Sequence, residues 1–239
     1  MSSWEKNAAQ EFDQWQRKGR ADGMAVGHRH GTEGILQQWQ FGPDSRVLDV
    51  GCGQGWLVRH ICEQGISLGV GVDISEEMIK HAQQFSGLNS QYLVSSASIL
   101  PFESGFFSHV ISIESLYYHT DPAVSLLEWH RVSKAGGKLG IMVDLYKENH
   151  GSHAWVDALN IPVHLLSIAE YIELLESKSS QFKWGIMWAA EVKEFYGYAK
   201  ENNLFKNVRY MGNKSAVILK QEDFSKWFIE ENWHETIQT

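Results

Sequence analysis

An acidic residue and a cluster of glycines stand together at 47–55, in the run Val-Leu-Asp-Val-Gly-Cys-Gly-Gln-Gly. Alternate glycines let a main chain approach a ligand that a Cβ atom would hold off, and they adopt positive φ angles without strain. A helix that begins after them would direct its free amide groups at the same place. Asp49 ends the apolar run before the glycines, where open α/β sheets bind ligands. The stretch therefore predicts a ligand-binding turn.

Two kinds of ligand suit a glycine turn after a first strand, namely a dinucleotide and S-adenosylmethionine. The dinucleotide fingerprint is Gly-x-Gly-x-x-Gly, whose last glycine lets the helix pack closely on the strand. Trp56 occupies the position of that last glycine in this chain. The Asp49 carboxylate would repel a pyrophosphate but attract the cationic methionine end of S-adenosylmethionine. Both observations favour S-adenosylmethionine.

Strands and helices alternate around this turn. Ser75 and Asp121 are suited to cap two of the helices. The inner face of the first should hold Met78, Ile79, Ala82 and Phe85, and that of the second Val124, Leu127 and Val132. Such alternation predicts a parallel sheet with both faces covered. The predicted strands are 46–50, 67–72, 91–95, 106–113 and 138–143, the last preceded by a turn at 135–137.

The amino-terminal 40 residues precede this pattern and predict a helical cap. Apolar residues at helical spacing place a helix at 3–18. This spacing favours a helix that packs on the domain, and a helix that also covers a pocket is the alternative. A glycine-rich loop at 19–31 and a short helix at 32–39 follow. The apolar residues of the first helix are Trp4, Ala8, Phe12 and Trp15.

Beyond the fifth strand the alternation breaks. Residues 145–166 have little strand pattern and predict an insertion over the carboxyl edge of the sheet, before a helix that starts near Ser167. Two arrangements stay open after that helix. Either 182–188 and 215–220 are strands six and seven with an insertion at about 189–213, or a hairpin joins 205–211 to 215–220.

Composition limits the class of protein. A chain of 239 residues with 43% hydrophobic residues fits one α/β domain, residues 1–239. A formal net charge of -8 argues against a nucleic-acid partner. The two cysteines, Cys52 and Cys62, suit a reducing compartment. Without a signal-peptide pattern or a membrane-length apolar run, we expect a cytoplasmic protein with no membrane partner.

Four segments of the sequence resemble the class I S-adenosylmethionine-dependent methyltransferases, in the order and spacing of that family. They are 47–55, 69–78, 100–114 and 134–139, and the resemblance covers roughly residues 30–180. The loop at 19–31 is similar to the small-molecule, type 11-like branch. The resemblance implies a Rossmann-like, doubly wound, seven-stranded and mostly parallel sheet, with helices on both faces, an amino-terminal helical lid and an insertion after strand five.

The resemblance also implies positions for the cofactor. One departure is Ser96, because the family often has an acid there to accept from the adenine amino group, and a hydroxyl does so more weakly. Asp49, Gly51, Gly53 and Gly55 would surround the methionine part, Asp73 would accept from the ribose, Ile74 and Met78 would pack on adenine, Ala97 would offer its amide to adenine, and Ile113 or Glu114 would line the methionine end.

The implied reaction moves a methyl group to an oxygen, nitrogen or carbon atom of a small-molecule acceptor and leaves S-adenosylhomocysteine. His28, Tyr118 and His119 are candidate bases by type and by position at the carboxyl edge. Tyr117, Tyr146 and Trp155 are further candidates for the pocket wall. No third potential ligand follows His28 and His30 at a spacing typical of metal-binding motifs, so we predict no metal site.

Two other functions stay open. A nucleic-acid methyltransferase of the amino-group type would carry an Asn/Asp-Pro-Pro-aromatic run after strand four, where this chain has Ile-Glu-Ser-Leu at 113–116. A module that binds S-adenosylmethionine without catalysis is the second alternative. Turnover with an acceptor would distinguish the enzyme from the binding module.

Overall fold

The structure is a computed structural model that describes residues 2–23, 32, 36, 39–153, 156, 159–177, 184–189 and 215–220. A sheet of seven strands forms its centre, in the order β3-β2-β1-β4-β5-β7-β6. The strands are β1 (Arg46–Val50), β2 (Leu68–Asp73), β3 (Ser90–Val94), β4 (Phe107–Ile113), β5 (Ser133–Val143), β6 (Trp184–Ala189) and β7 (Ser215–Lys220).

Strands β1 to β5 pair in parallel, with Asp49 beside Gly71 on one side and beside Ile111 on the other. This confirms the predicted parallel, Rossmann-like sheet. Strand β7 runs antiparallel to both of its neighbours, β5 and β6. That pairing corresponds to the first of the two arrangements left open by the sequence. The insertion predicted at 189–213 lies outside the described residues apart from its first residue, Ala189.

Five α-helices with both ends among the described residues accompany the sheet. Ser75 and Asp121 cap α3 and α4 as predicted, accepting from the amides of Met78 and of Ala123. None of the helices in the described ranges is long and apolar enough to cross a membrane. The helices are α1 (Ser3–Arg17), α2 (Trp56–Cys62), α3 (Glu76–Gln84), α4 (Pro122–Val132) and α5 (Ile168–Ser177).

Two of the predicted helix faces need correction. In α4, Val124 and Leu127 are 45% and 47% exposed, whereas Leu126 and Trp129 are buried. The helix therefore turns a different side to the sheet, and of the three residues predicted to face inward only Val132 does so. Phe85 is 55% exposed because it follows the last turn of α3 as the C-cap residue.

The start of β5 also differs from the prediction. The expected turn at 135–137 lies inside the strand, which begins at Ser133. The pairing of β4 with β5 shifts register between Phe107 and His109, and Gly136 has a φ of +72°. The glycines therefore form an irregularity within the strand rather than a break before it.

The core has one layer on each face of the sheet. Trp129 of α4 packs with Leu139 and Ile141 of β5 in the larger layer. Leu57 and Ile61 of α2 pack against Val47 on the opposite face. The carboxyl ends of β1, β2 and β4 meet at the point where strand order reverses, which is where such sheets bind ligands.

Candidate functional site

A cavity of about 1100 Å³, its open mouth included, lies at the carboxyl ends of β1, β2 and β4. Its walls come from the glycine turn, the loop after β3, the segment after β4 and the inner side of α1. Most of the site residues predicted from sequence line it, namely Asp49, Gly51, Gly53, Asp73, Ile74, Met78, Ser96, Ala97, Ile113, Glu114, Tyr118 and His119.

The glycines of the turn meet three different surroundings. A Cβ atom on Gly51 would overlap the Ser115 hydroxyl, and φ there is +79°. A Cβ atom on Gly53 would meet no protein atom within 4 Å, since that position faces open space. Gly55 lies beneath the turn, where a Cβ atom would overlap the Tyr92 ring, and it is absent from the cavity lining. Gly55 thus permits close packing between the turn and Tyr92.

Asp73 joins the end of β2 to the glycine turn. Its Oδ2 accepts from the Gly53 amide at 2.9 Å, and its Oδ1 accepts from the Ser75 amide at 2.9 Å. Burial raises the pKa of Asp73, while these backbone hydrogen bonds oppose the shift. The carboxylate is thereby held in one orientation at the edge of the cavity.

Asp49 and Glu114 are acidic side chains buried in the floor of the cavity, with exposures of 2% and 6%. Burial raises the pKa of each to about 8, reinforced by Asp73 near Asp49 and by Asp144 near Glu114. Both groups therefore exchange a proton near neutral pH and would gain from a cation placed beside them.

Glu114 has a strained backbone and a free oxygen. Its φ of +52° is the only positive value at a non-glycine residue in the described ranges. Its Oε2 accepts from the Tyr117 hydroxyl at 2.9 Å and from the Asp144 amide at 2.8 Å. Its Oε1 is buried and makes no hydrogen bond. Strain together with an unsatisfied oxygen is typical of a functional position.

Tyr118 and His119 follow β4 in and after a short 3-10 helix, Leu116–Tyr118. Burial lowers the pKa of His119 to about 3, and its Nε2 lies 3.0 Å from the Ser115 hydroxyl. Burial raises the pKa of Tyr118 well above its ordinary value. Both shifts favour a neutral imidazole and a protonated phenol near neutral pH.

The other aromatic and histidine candidates are distributed differently. Tyr117 is buried and bonded to Glu114, and Tyr146 belongs to the main core. Trp155, His28 and His30 lie outside the described residues. Among the described tyrosine candidates, Tyr118 is the one that lines the cavity, and its ring meets that of Phe12 edge-on with centroids 5.0 Å apart.

Helix α1 closes one side of the cavity, and sequence reasoning missed its polar contribution. Glu5 lines the cavity together with Ala8 and Phe12. The spacing of three and four residues puts Glu5 on the same helix face as these two apolar residues, which is the signal that could have identified it.

The glycine turn is also tied to α1 through a residue that had no sequence signal. The Gln54 side-chain amide donates to Gln16 Oε1 at 3.0 Å and to Asp22 Oδ1 at 2.6 Å. Asp13 accepts from the Ser75 hydroxyl at 2.6 Å and from the Glu77 amide at 3.1 Å. These bonds anchor α1 both on the turn and on the start of α3.

Several curated relatives of this chain are named methyltransferases. The malonyl-[acyl-carrier protein] O-methyltransferase of Erwinia pyrifoliae is 31% identical over 107 residues, which cover 45% of this chain and 40% of that protein. The chloroplastic tocopherol O-methyltransferase of Arabidopsis thaliana is 28% identical over 179 residues, which cover 68% of this chain and 51% of that protein. The chain spans no more than about half the length of these two relatives.

A solved structure and a family model agree with these relatives. The methyltransferase in a complex with the Haloferax volcanii Trm112 methyltransferase activator has a TM-score of 0.74 and 28% identity, covering 88% of this chain and 96% of that chain. Residues 48–141 match the family model described as a methyltransferase domain. Over residues 48–141 the chain is therefore similar to a methyltransferase domain, and its fold is similar to that of this solved methyltransferase structure.

Proposed function

We propose that this protein binds S-adenosylmethionine in the cavity at the switch point of the sheet and transfers its methyl group to a small-molecule acceptor, leaving S-adenosylhomocysteine. The observation that carries the proposal is the combination of an open glycine turn with two buried acidic side chains in one cavity. Neither a dinucleotide nor a nucleic acid suits a floor of buried carboxyl groups in a chain of net charge -8.

The acids fit the cationic end of the cofactor. A buried carboxylate without a partner is costly, and the unpaired Oε1 of Glu114 is such a group when ionised. The methionine ammonium group would supply the missing charge and the missing donor. Asp49 would act in the same way from β1, and Gly53 leaves open space over the turn.

The second half of the cofactor would lie toward β2 and β3. Asp73 keeps lone pairs available beyond its two backbone hydrogen bonds, so it would accept from the ribose hydroxyls. Ile74 and Met78 offer apolar surface to the adenine ring, and Ala97 lines the same part of the cavity. We assign Gly55 a supporting role under the turn.

When bound, S-adenosylmethionine would supply a methyl group that is activated by its sulfonium leaving group. The residues of this chain would hold the two reactants in line and exclude water, which is where most of the acceleration in such a reaction arises. We propose that Tyr118 and His119 position the acceptor rather than remove its proton, because the phenol is protonated and the buried imidazole resists protonation. His28 stays a candidate base.

We also propose that residues 1–239 act as one domain in which α1 and the 145–166 segment cover the cavity. Leu159 and Ile161 pack with Ala8 and Trp15 of α1 and with Met78. The Trp4 ring stacks on His164 with centroids 5.1 Å apart. The acceptor would enter between these two segments.

An oxygen atom is the first acceptor to test, because both curated relatives described above are O-methyltransferases. The experiment has two steps. Calorimetry first measures binding of S-adenosylhomocysteine. The protein is then incubated with S-adenosylmethionine and a panel of small acceptors, hydroxyl and carboxyl compounds first and nitrogen and carbon acceptors next, while S-adenosylhomocysteine formation is followed. Binding with turnover supports the proposal. Binding without turnover on any oxygen, nitrogen or carbon acceptor would support the binding module instead, and absence of binding would refute both.

A further inference from the structure

The loop after β3 lacks the carboxylate that the family often carries there. Ser96 occupies the position, and its hydroxyl is already engaged, donating to Glu5 Oε1 and accepting from the Ser98 amide at 3.2 Å. A hydroxyl has one donor and two acceptor sites, so a single acceptor site is left. Ser96 alone is thus a weak acceptor for an amino group in the cavity.

Glu5 brings a carboxylate to the same place from a different element. It lies in the first turn of α1 and lines the cavity next to Ser96 and Ala97. One of its oxygens accepts from the Ser2 amide at 2.6 Å, and the other accepts from the Ser96 hydroxyl. A carboxylate has about four acceptor sites, so these hydrogen bonds leave room for another donor.

Glu5 is ionised in this setting. Burial acts to raise its pKa, but hydrogen bonds from Ser96 and from Ser2 outweigh burial and hold the pKa below its ordinary value. Hydrogen bonds to an ionised acceptor are roughly twice as strong as those between neutral groups. This wall of the cavity therefore favours a ligand that presents a hydrogen-bond donor.

We propose that Glu5 selects the base of the cofactor, accepting from the exocyclic amino group of adenine in place of an acid at position 96. The inference rests on the proposed function, because it concerns the same S-adenosylmethionine site. Because Glu5 belongs to α1, the contact between Glu5 and adenine would also hold this helix against the cavity.

A competing explanation is that Glu5 serves only to cap α1. Ser2 and Glu5 form a capping box, in which the Ser2 hydroxyl accepts from the Glu5 amide at 3.1 Å. Glutamine also satisfies a capping box at this position. Glu5→Gln therefore keeps the cap but replaces the carboxylate with an amide that can donate, and so it separates the two roles.

The test measures the affinity of the full chain for two ligands by calorimetry. The ligands are S-adenosylhomocysteine and S-inosylhomocysteine, in which an oxo group replaces the amino group. We expect the unmodified protein to prefer the adenine form by roughly 10- to 100-fold, as for hydrogen bonds to charged groups. In Glu5→Gln the ratio of the affinities for S-adenosylhomocysteine and S-inosylhomocysteine should fall by about tenfold, because the glutamine amide can donate to the oxo group.

Two further variants complete the test. Glu5→Gln combined with Ser96→Asp should regain the preference for adenine, because it returns a carboxylate to the loop after β3. Glu11→Gln is the matched control, since it makes the same charge change on α1 at a residue absent from the cavity lining that accepts from Trp15 Nε1 at 2.8 Å. It should keep the preference of the unmodified protein.

The outcomes separate this inference from the proposed function. If Glu5→Gln is folded by circular dichroism and discriminates between the two ligands as the unmodified protein does, the role of Glu5 is overturned while the proposed function stands. An unmodified protein that binds both ligands equally well would overturn it too. If the unmodified protein binds neither ligand, the proposed function fails and this inference fails with it.

Discussion

Three acidic side chains around the cavity differ in how their oxygens are used. Both oxygens of Asp73 accept from backbone amides, one oxygen of Glu114 is unpaired, and Glu5 is shared between a helix cap and Ser96. Asp73 is therefore oriented before a ligand arrives. Burial of the ionised Glu114 side chain is unfavourable, and a cationic ligand beside it would offset that cost. Residue chemistry alone, without these partners, does not distinguish the three roles.

Asp73→Asn should weaken binding of S-adenosylhomocysteine by about 1.5–3 kcal/mol, roughly 10- to 100-fold. The amide keeps the shape of the side chain, but it loses the charge and one of the acceptor oxygens that hold the turn. Calorimetry measures the change. Glu76→Gln, at an exposed position in the first turn of α3, is the control and should bind as the unmodified protein does. Equal affinities for both variants would remove Asp73 from the ribose site.

Glu114→Gln should make stability less dependent on pH. The pKa of Glu114 is about 8 in the folded state and about 4.3 in an unfolded chain, so the folded state binds more protons between these values. Its contribution is complete below about pH 4 and is lost as the pH rises through about 8. Asp49 acts in the same direction.

Urea unfolding of the ligand-free protein, repeated from about pH 5 to about pH 8, measures this effect. The free energy of unfolding should fall with rising pH in the unmodified protein and fall less steeply in Glu114→Gln. Glu103→Gln changes an exposed glutamate and should follow the unmodified protein. Parallel curves for all three proteins would show that Glu114 does not titrate in this range.

At the scale of elements, α4 shows what a helical pattern leaves undetermined. Its start is set by Asp121 and Pro122, which the sequence identifies directly. Its rotation about its own axis is set by packing, and Trp129 is the residue that reaches the core with no exposed surface. The helix face that contains Val124 and Leu127, which the sequence pattern predicts to be the inner one, is turned away from the sheet. The largest side chain of the helix was the better guide.

This difference predicts unequal costs for two neighbouring leucines. Leu126→Ala should lower the free energy of unfolding by about 2–5 kcal/mol, because it leaves a cavity beside the sheet. Leu127→Ala should change it by no more than about 0.5 kcal/mol, because Leu127 is 47% exposed. Urea denaturation of the two variants compares them within one helix. Equal losses would contradict the observed orientation of α4.

At the scale of the whole molecule, the cavity depends on the docking of α1 against the sheet domain. The polar contacts of α1 include those of Gln16 with Gln54, of Asp13 with the start of α3, and of Glu5 with Ser96. Phe12 adds an aromatic contact to Tyr118. Because these contacts reach both the glycine turn and the loop after β4, ligand binding and docking of α1 should strengthen each other.

Hydrogen exchange measures that coupling. We expect S-adenosylhomocysteine to slow amide exchange in α1, and we expect Gln54→Ala to speed it in the ligand-free protein by releasing two hydrogen bonds. Exchange in α5, none of whose described side chains lines the cavity, should change little in both cases. Gln64→Ala alters an exposed glutamine after α2 and serves as the control. Exchange in α1 that responds to neither change would argue that the helix is not part of the site.

The sequence by itself determined the parallel sheet and most of the cavity floor. Alternating apolar runs, helix caps and the glycine spacing are local signals, because they depend on residues a few positions apart. They place Asp49, Asp73 and Glu114 at the ends of strands, and parallel pairing then brings these ends to one edge. For this reason the ends of the strands followed from pattern alone, whereas the roles of Asp73 and Glu114 in the site followed from the resemblance to the methyltransferases.

Only the tertiary structure decided which side chains complete the site. Glu5 and Ser96 are hydrogen-bonded although they are 91 positions apart in the sequence, and Gln54 and Gln16 are hydrogen-bonded at a separation of 38 positions. No periodicity encodes such pairs, because they depend on how a helix docks and rotates against its neighbours. The same holds for the inner face of α4 and for Gly55, which lies beneath the turn against Tyr92. Local signals specify elements and their ends, whereas packing specifies which elements share a cavity.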